Sequence, residues 1–146
     1  MEQISKYLTI KDVERSSVAT RFGLDNTLPS ALYDNARYVG ELYDKVYEYF
    51  KGNIIASSFY RGERVNTKVG GSKTSQHQKA EAIDIEGING VSNKEIFDFC
   101  RTLDFDQLID EFHLDWVHIS RSKKGNRKQV LKAIKDSKNR TVYQNI

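Results

Sequence analysis

The chain has 146 residues, 38% hydrophobic, 29% charged and 11% aromatic, with a formal net charge of +3. That length suits a single domain, residues 1–146, with a real core, and the aromatic content argues against disorder. No apolar run approaches a membrane span and "MEQISKYLTI" lacks the basic-then-apolar layout of a signal peptide, so a soluble, cytoplasmically made product without membrane insertion is expected; a monomer is the expected state.

In chain order, the first strong pattern is "ALYDNARYVGELYDKVYEYF", just after Pro29. Leu32, Ala36, Val39, Tyr43, Val46 and Phe50 recur at alternating steps of four and three, which predicts one long amphipathic helix. "NIIASSFYR", 53–61, reads as a strand leaving the "KGN" turn, and "GERVNTKVGGSKTSQH" as a long polar loop. "AIDIEG" reads as a second strand. "SNKEIFDFCRTL" opens with Ser92 and has Glu95 three residues later, a reciprocal capping pattern, and places Ile96, Phe97, Cys100 and Leu103 on one helical face. Cys100 is thus a core residue; as the only cysteine it excludes an intrachain disulfide and a cysteine-cluster zinc site.

"FDQLIDEF" and "WVHIS" read as two strands joined by "HLD", and a final helix from about Lys128 is expected to bury Val130, Leu131 and Ile134. Strands joined by such short turns pair antiparallel, so the expected class is α+β, a small central antiparallel sheet with flanking helices. The excess positive charge lies in "RSKKGNRKQVLKAIKDSKNR". Such a run can meet nucleic acid or an anionic wall polymer, but a solvated helix face is the better reading, so no nucleic-acid partner is expected.

The chemistry concentrates around Asp84. A carboxylate between Ile83 and Ile85 is costly to bury unless its charge is compensated. His77, Asp84 and His118 supply the three nitrogen or oxygen ligands that a catalytic zinc site needs, with one position left open. His113 is read as a surface or neighbouring residue, because a fourth ligand would close the site. The helical HExxH signature is absent. Two carboxylates are near enough in sequence to serve as general base, Asp115 and Glu111, and Asp115 works only if "HLD" is a turn and the strand begins at Trp116.

"SQHQKAEAIDI" resembles the SxHxxGxAxD signature, and "DWVHIS" the second histidine motif, of the zinc D-alanyl-D-alanine carboxypeptidases and L-alanyl-D-glutamate endopeptidases, peptidoglycan enzymes that share the Hedgehog-type fold. "SSVATRFGLDNTLPS", "SSFYRGERVNTKVGG" and "FDQLIDEF" resemble further segments of a phage-associated branch. The resemblance implies one zinc ion on His77, Asp84 and His118. Arg61 then contacts the substrate and the developing oxyanion, and Ser75 either binds substrate or holds the loop. Asp115 is the first choice of base and Glu111 the second. It further implies action on peptidoglycan stem peptides after release or delivery to the cell wall, with a catalytically inactive zinc-containing binding module as the alternative. Two positions depart from the pattern. Ala80 stands in place of a glycine, and Phe59 in place of another, where it is expected to reshape the substrate cleft.

Overall fold

The long helix predicted around Leu32–Phe50 forms as α3 (Tyr33–Tyr49), entered through a single 3-10 turn at Ser30–Leu32, in a computed structural model that describes residues 2–146. It buries Ala36, Val39, Gly40, Leu42, Tyr43 and Val46, the stripe that the four-and-three spacing lays out. Two short helices precede it, α1 (Ile10–Glu14) and α2 (Ser17–Phe22), capped by Thr9 and Ser16, where the sequence reading assigned no elements. Gly40 allows the N-terminal segment to lie on α3: a Cβ there would stand 2.8 Å from Ser5 Cβ.

Strand β1 (Ile54–Ser58) leads through α4 (Glu63–Lys68) and a 3-10 turn (Gln76–Lys79) into β2 (Ala82–Gly87). The stretch expected to be a long polar loop therefore carries two helical turns. Its apolar Val65 drives the first of them by packing fully buried. Helix α5 (Asn93–Cys100) follows, with the Ser92–Glu95 capping box in place: Glu95 N donates to Ser92 Oγ at 3.1 Å and Ser92 N to Glu95 Oε1 at 3.1 Å. Cys100 is fully buried.

Strands β3 (Gln107–Glu111) and β4 (Trp116–Ser120) form the expected hairpin. Its turn carries Phe112, His113 and Leu114 at positive φ, a conformation that costs L-residues about 1–2 kcal/mol each. Asn93 holds this turn: its Nδ2 donates to Leu114 O at 2.9 Å and to Asp115 O at 3.1 Å, while its Oδ1 accepts from Gly87 N at 2.8 Å.

The final helix expected from Lys128 does not form; the segment is instead a hairpin of β5 (Gln129–Lys135) and β6 (Thr141–Asn145). "QVLKAIK" satisfies both periods, and here period two wins because Leu131 and Ala133 turn to one face while Val130 packs on the other. The free edge of β3 gives this segment a backbone partner. Asp136 closes the hairpin by accepting at Oδ1 from Lys138 N and Arg140 N, both at 2.9 Å, with Asn139 left-handed. The basic C-terminal stretch is thus loop and strand rather than a helix face.

The fold class is α+β, and the six strands run in the order β1-β2-β4-β3-β5-β6. All neighbours are antiparallel except β3 and β5, which are parallel because residues 121–128 carry the chain from the end of β4 back alongside β3. Ile83, Ile85, Leu108, Val117 and Ile119 point from the sheet into one core with Val39, Val46, Ile96 and Cys100 of the helices. The alternating residues Asp84, His118, Ile109 and Glu111 face the other way. No helix among the described residues is long and apolar enough to cross a membrane.

Candidate metal centre

Strand alternation explains the carboxylate between two isoleucines: Ile83 and Ile85 feed the core, and Asp84 is turned to the opposite face, directly across from His118 on β4. His77 arrives from the 3-10 turn. Ser75 Oγ caps that turn by accepting from His77 N at 3.2 Å, so of the two roles left open for Ser75 the structure displays the loop-holding one. Arg61 N donates to His77 O at 3.1 Å, tying the end of β1 to the same turn.

Leaving the turn requires a reversal, and Ala80 makes it with φ 55° and ψ 34°, fully buried. This is the position of the signature glycine, and a left-handed backbone is the physical reason for a glycine there. Phe59 behaves differently from expectation. Its ring is fully buried in the main core rather than lining a cleft, so it does not reshape the site through its side chain. Its carbonyl oxygen instead lies 2.7 Å from His77 Nδ1, placing the proton on that nitrogen and directing Nε2 inward.

His77 Nε2 and His118 Nδ1 each stand 3.3 Å from Asp84 Oδ1, and one ligand atom from each residue lies within 4.8 Å of the others. All three residues are buried. Neither imidazole contact has hydrogen-bond geometry, so Asp84 Oδ1 is buried with no partner. An orphaned carboxylate oxygen is costly, and a cation resolves it. Ligands at about 2.0–2.1 Å from a tetrahedral ion are about 3.3–3.4 Å apart, the separation of each histidine nitrogen from Asp84 Oδ1. The group can therefore hold a metal ion. Burial works to raise the Asp84 carboxyl, but the imidazoles, His77 foremost, outweigh it and hold the group well below the usual carboxylate range.

Glu111 joins this cluster from β3. Residue 109 lies opposite His118, so Glu111 is its diagonal neighbour on the same face, about 7–8 Å away between backbones. Burial pushes its carboxyl up to about 7; His118 and Arg61 pull it down, while Asp84 and Asp110 add to the rise. Arg61 is half-buried and its Nε has no partner. Burial depresses its guanidinium, Asp84, Glu111 and Tyr143 oppose that, and it stays cationic.

Asp115 is exposed, at the end of the turn after which β4 begins at Trp116, so the turn and the strand start that its role as base requires are both present. His113 is exposed in the same turn. The structure thus brings His77, Asp84, His118, Glu111 and Arg61 to one face of the sheet, and sets Asp115 at the rim, in the turn that leads into the strand of His118.

Two supports escaped the sequence reading. Asp106, 3% exposed, accepts from Arg127 Nε at 2.8 Å and Nη2 at 2.9 Å and from Gln76 Nε2 at 2.9 Å, so it anchors the residue preceding His77. Hydrogen bonds from Arg127 lead in lowering its carboxyl to about 2, against the cost of burial. The second is Tyr143 on β6, whose phenol burial pushes upward, with Glu111 and Asp84 adding and Arg61 opposing. Neither stands out in the sequence, since both depend on where the C-terminal hairpin docks. A cleft of about 710 Å³ lies on the far side of the 3-10 turn, lined by Gln76, Lys79, Lys123, Lys124 and Arg127 among others, and includes none of the three candidate ligands.

Compared with known proteins, residues 6–120 match a family model described as Peptidase M15. No curated protein matches the chain.

Proposed function

The chain belongs to the Peptidase M15 family, whose members are zinc-dependent metallopeptidases, and on that premise we propose that it hydrolyses an amide next to a D-amino acid in peptidoglycan stem peptides. The observation that carries the reading is the partnerless Asp84 Oδ1, with two imidazole nitrogens at 3.3 Å and a carboxyl held near neutrality on the adjoining strand. His77 Nε2, Asp84 Oδ1 and His118 Nδ1 would hold a single zinc ion, a donor set of borderline softness that suits it. When bound, zinc supplies Lewis acidity that polarises the scissile carbonyl and acidifies water.

The chain's own groups supply the rest. Phe59 O keeps the His77 ring in one tautomer and orientation. Two carboxylates are placed to serve as general base, taking a proton and returning it to the leaving amine: Asp115, three residues before His118, and Glu111, on the same face of the sheet as His118 and Asp84. The unpartnered Arg61 Nε and its guanidinium donate to the substrate and to the oxyanion that develops. The side chains of Ile109, Leu131 and Ala133 form an apolar floor beside Glu111, which limits water there.

We further read the chain as a phage or prophage wall-degrading enzyme, working as a monomer on the cell wall after release or delivery, with neither nucleic acid nor membrane as partner. The segments resembling the phage-associated branch support this. Metal content of the purified protein, with peptide release from purified peptidoglycan followed by mass spectrometry, tests the reading. About one zinc per chain with a released stem-peptide fragment is expected, and the fragment identifies the bond cut. Zinc without any released peptide overturns the enzyme reading in favour of a Hedgehog-like binding module.

A further inference from the structure

Beyond residue 120, where the family match ends, the chain adds the β5–β6 hairpin to the sheet edge beside the candidate centre. The register is specific. Glu111 on β3 pairs with Ala133 on β5, and Ala133 pairs with Tyr143 on β6, so the three lie in one row. Residues paired across strands project from the same face, which puts the Tyr143 side chain on the face that carries Glu111, His118 and Asp84. Two strand spacings separate the Glu111 and Tyr143 backbones by about 10 Å. The intervening residue is an alanine, which leaves the space between them to the two long side chains.

Tyr143 is 54% exposed, and its hydroxyl makes no hydrogen bond among the described residues. It lies within electrostatic reach of Glu111, Asp84 and Arg61. The Arg61 Nε is also without a partner. The Arg61 guanidinium and the Tyr143 hydroxyl thus both lie within electrostatic reach of the centre, a cation and an unused donor that suit an incoming carboxylate. Val142, the preceding residue, points to the other face of β6 and is 37% exposed.

Resting on the peptidase reading above, we propose that Tyr143 is a substrate-contacting residue, its hydroxyl donating to a carboxylate oxygen of the bound acidic peptide, so that the C-terminal hairpin forms one wall of the substrate site.

The test uses the full chain loaded with zinc and a synthetic stem pentapeptide carrying its free carboxylates. Tyr143→Phe and Tyr143→Ala are each expected to raise KM about ten-fold, with kcat little changed, as loss of a hydrogen bond to a charged group predicts. Val142→Ala, the control on the opposite face, is expected to behave as wild type. A second measurement avoids turnover: calorimetric binding of the same peptide in the inactive base variant, Glu111→Gln or Asp115→Asn, where adding Tyr143→Phe is expected to weaken binding by a similar factor. Wild-type cleavage combined with unchanged KM and binding in Tyr143→Phe overturns the proposal and leaves the peptidase reading intact. A loss in Tyr143→Ala that Tyr143→Phe does not share also overturns it, since the ring rather than the hydroxyl then makes the contact. Wild-type protein that neither binds nor cleaves the pentapeptide overturns the substrate reading and this proposal together.

Discussion

Replacing Glu111 with glutamine removes a carboxyl that the fold makes unusually hard to ionise. In the metal-free protein its folded-state value is about 7 against an ordinary 4.5, and at about 1.36 kcal/mol per pH unit the difference corresponds to about 3 kcal/mol. The direction follows from the sign of the shift. A carboxyl raised on folding contributes stability that is fully present below about pH 4.5 and is lost as pH rises through about 7. The wild-type chain, kept metal-free with a chelator, should therefore lose about 3 kcal/mol across that window in urea denaturation, relative to Glu111→Gln measured at the same pH values. The variant nearly preserves shape and hydrogen-bonding capacity, so the comparison isolates the charge. A stability difference between the two proteins that stays constant from pH 4.5 to 8 refutes the reasoning. With zinc restored, both Glu111→Gln and Asp115→Asn should keep their metal, and the one that loses peptide hydrolysis by about 10²–10⁴-fold identifies the general base.

His77→Ala and Asp84→Asn are each expected to abolish stoichiometric zinc, measured by elemental analysis of the folded protein. The Asp106 carboxyl is depressed to about 2, so its stabilisation is present above about pH 4 and lost as pH falls toward 2. Asp106→Asn should therefore be less stable than wild type by about 2 kcal/mol at pH 6, and the deficit should vanish on acidification in pH-dependent urea melts. At the left-handed Ala80, glycine relieves about 1–2 kcal/mol of strain and forfeits about 0.8 kcal/mol of methyl burial, so Ala80→Gly should melt within a few degrees of wild type. Ala80→Val, β-branched at the same angles in a fully buried place, should lower the melting temperature well beyond that.

What the sequence made legible is what local rules govern. The Ser92–Glu95 box, the α3 stripe and the isoleucines flanking Asp84 depend on neighbours three or four residues away, or one, and each is found where those spacings place it. Strand register is not local. Glu111 reaches the centre only because residue 109 aligns with His118, which puts Glu111 two steps along the same face, and the three left-handed residues of the turn before Asp115 follow from that pairing. The C-terminal hairpin was hidden for a related reason. "QVLKAIK" fits either period, and the deciding factor, an unpaired edge on β3, belongs to the assembled sheet. Asp106, Arg127 and Tyr143 acquire their roles only once that hairpin is docked.

The solitary thiol of Cys100 sits in the main core between α5 and the sheet, with no exposed surface, and burial pushes it up to about 12. A maleimide or disulfide reagent added to the native protein therefore has nothing to attack until helix and sheet separate. Labelling at Cys100 becomes a clock for global opening: its rate follows unfolding of the whole domain rather than breathing of a loop. Comparing that clock with and without bound zinc reports directly how far a metal on the opposite face of the sheet steadies the helical layer.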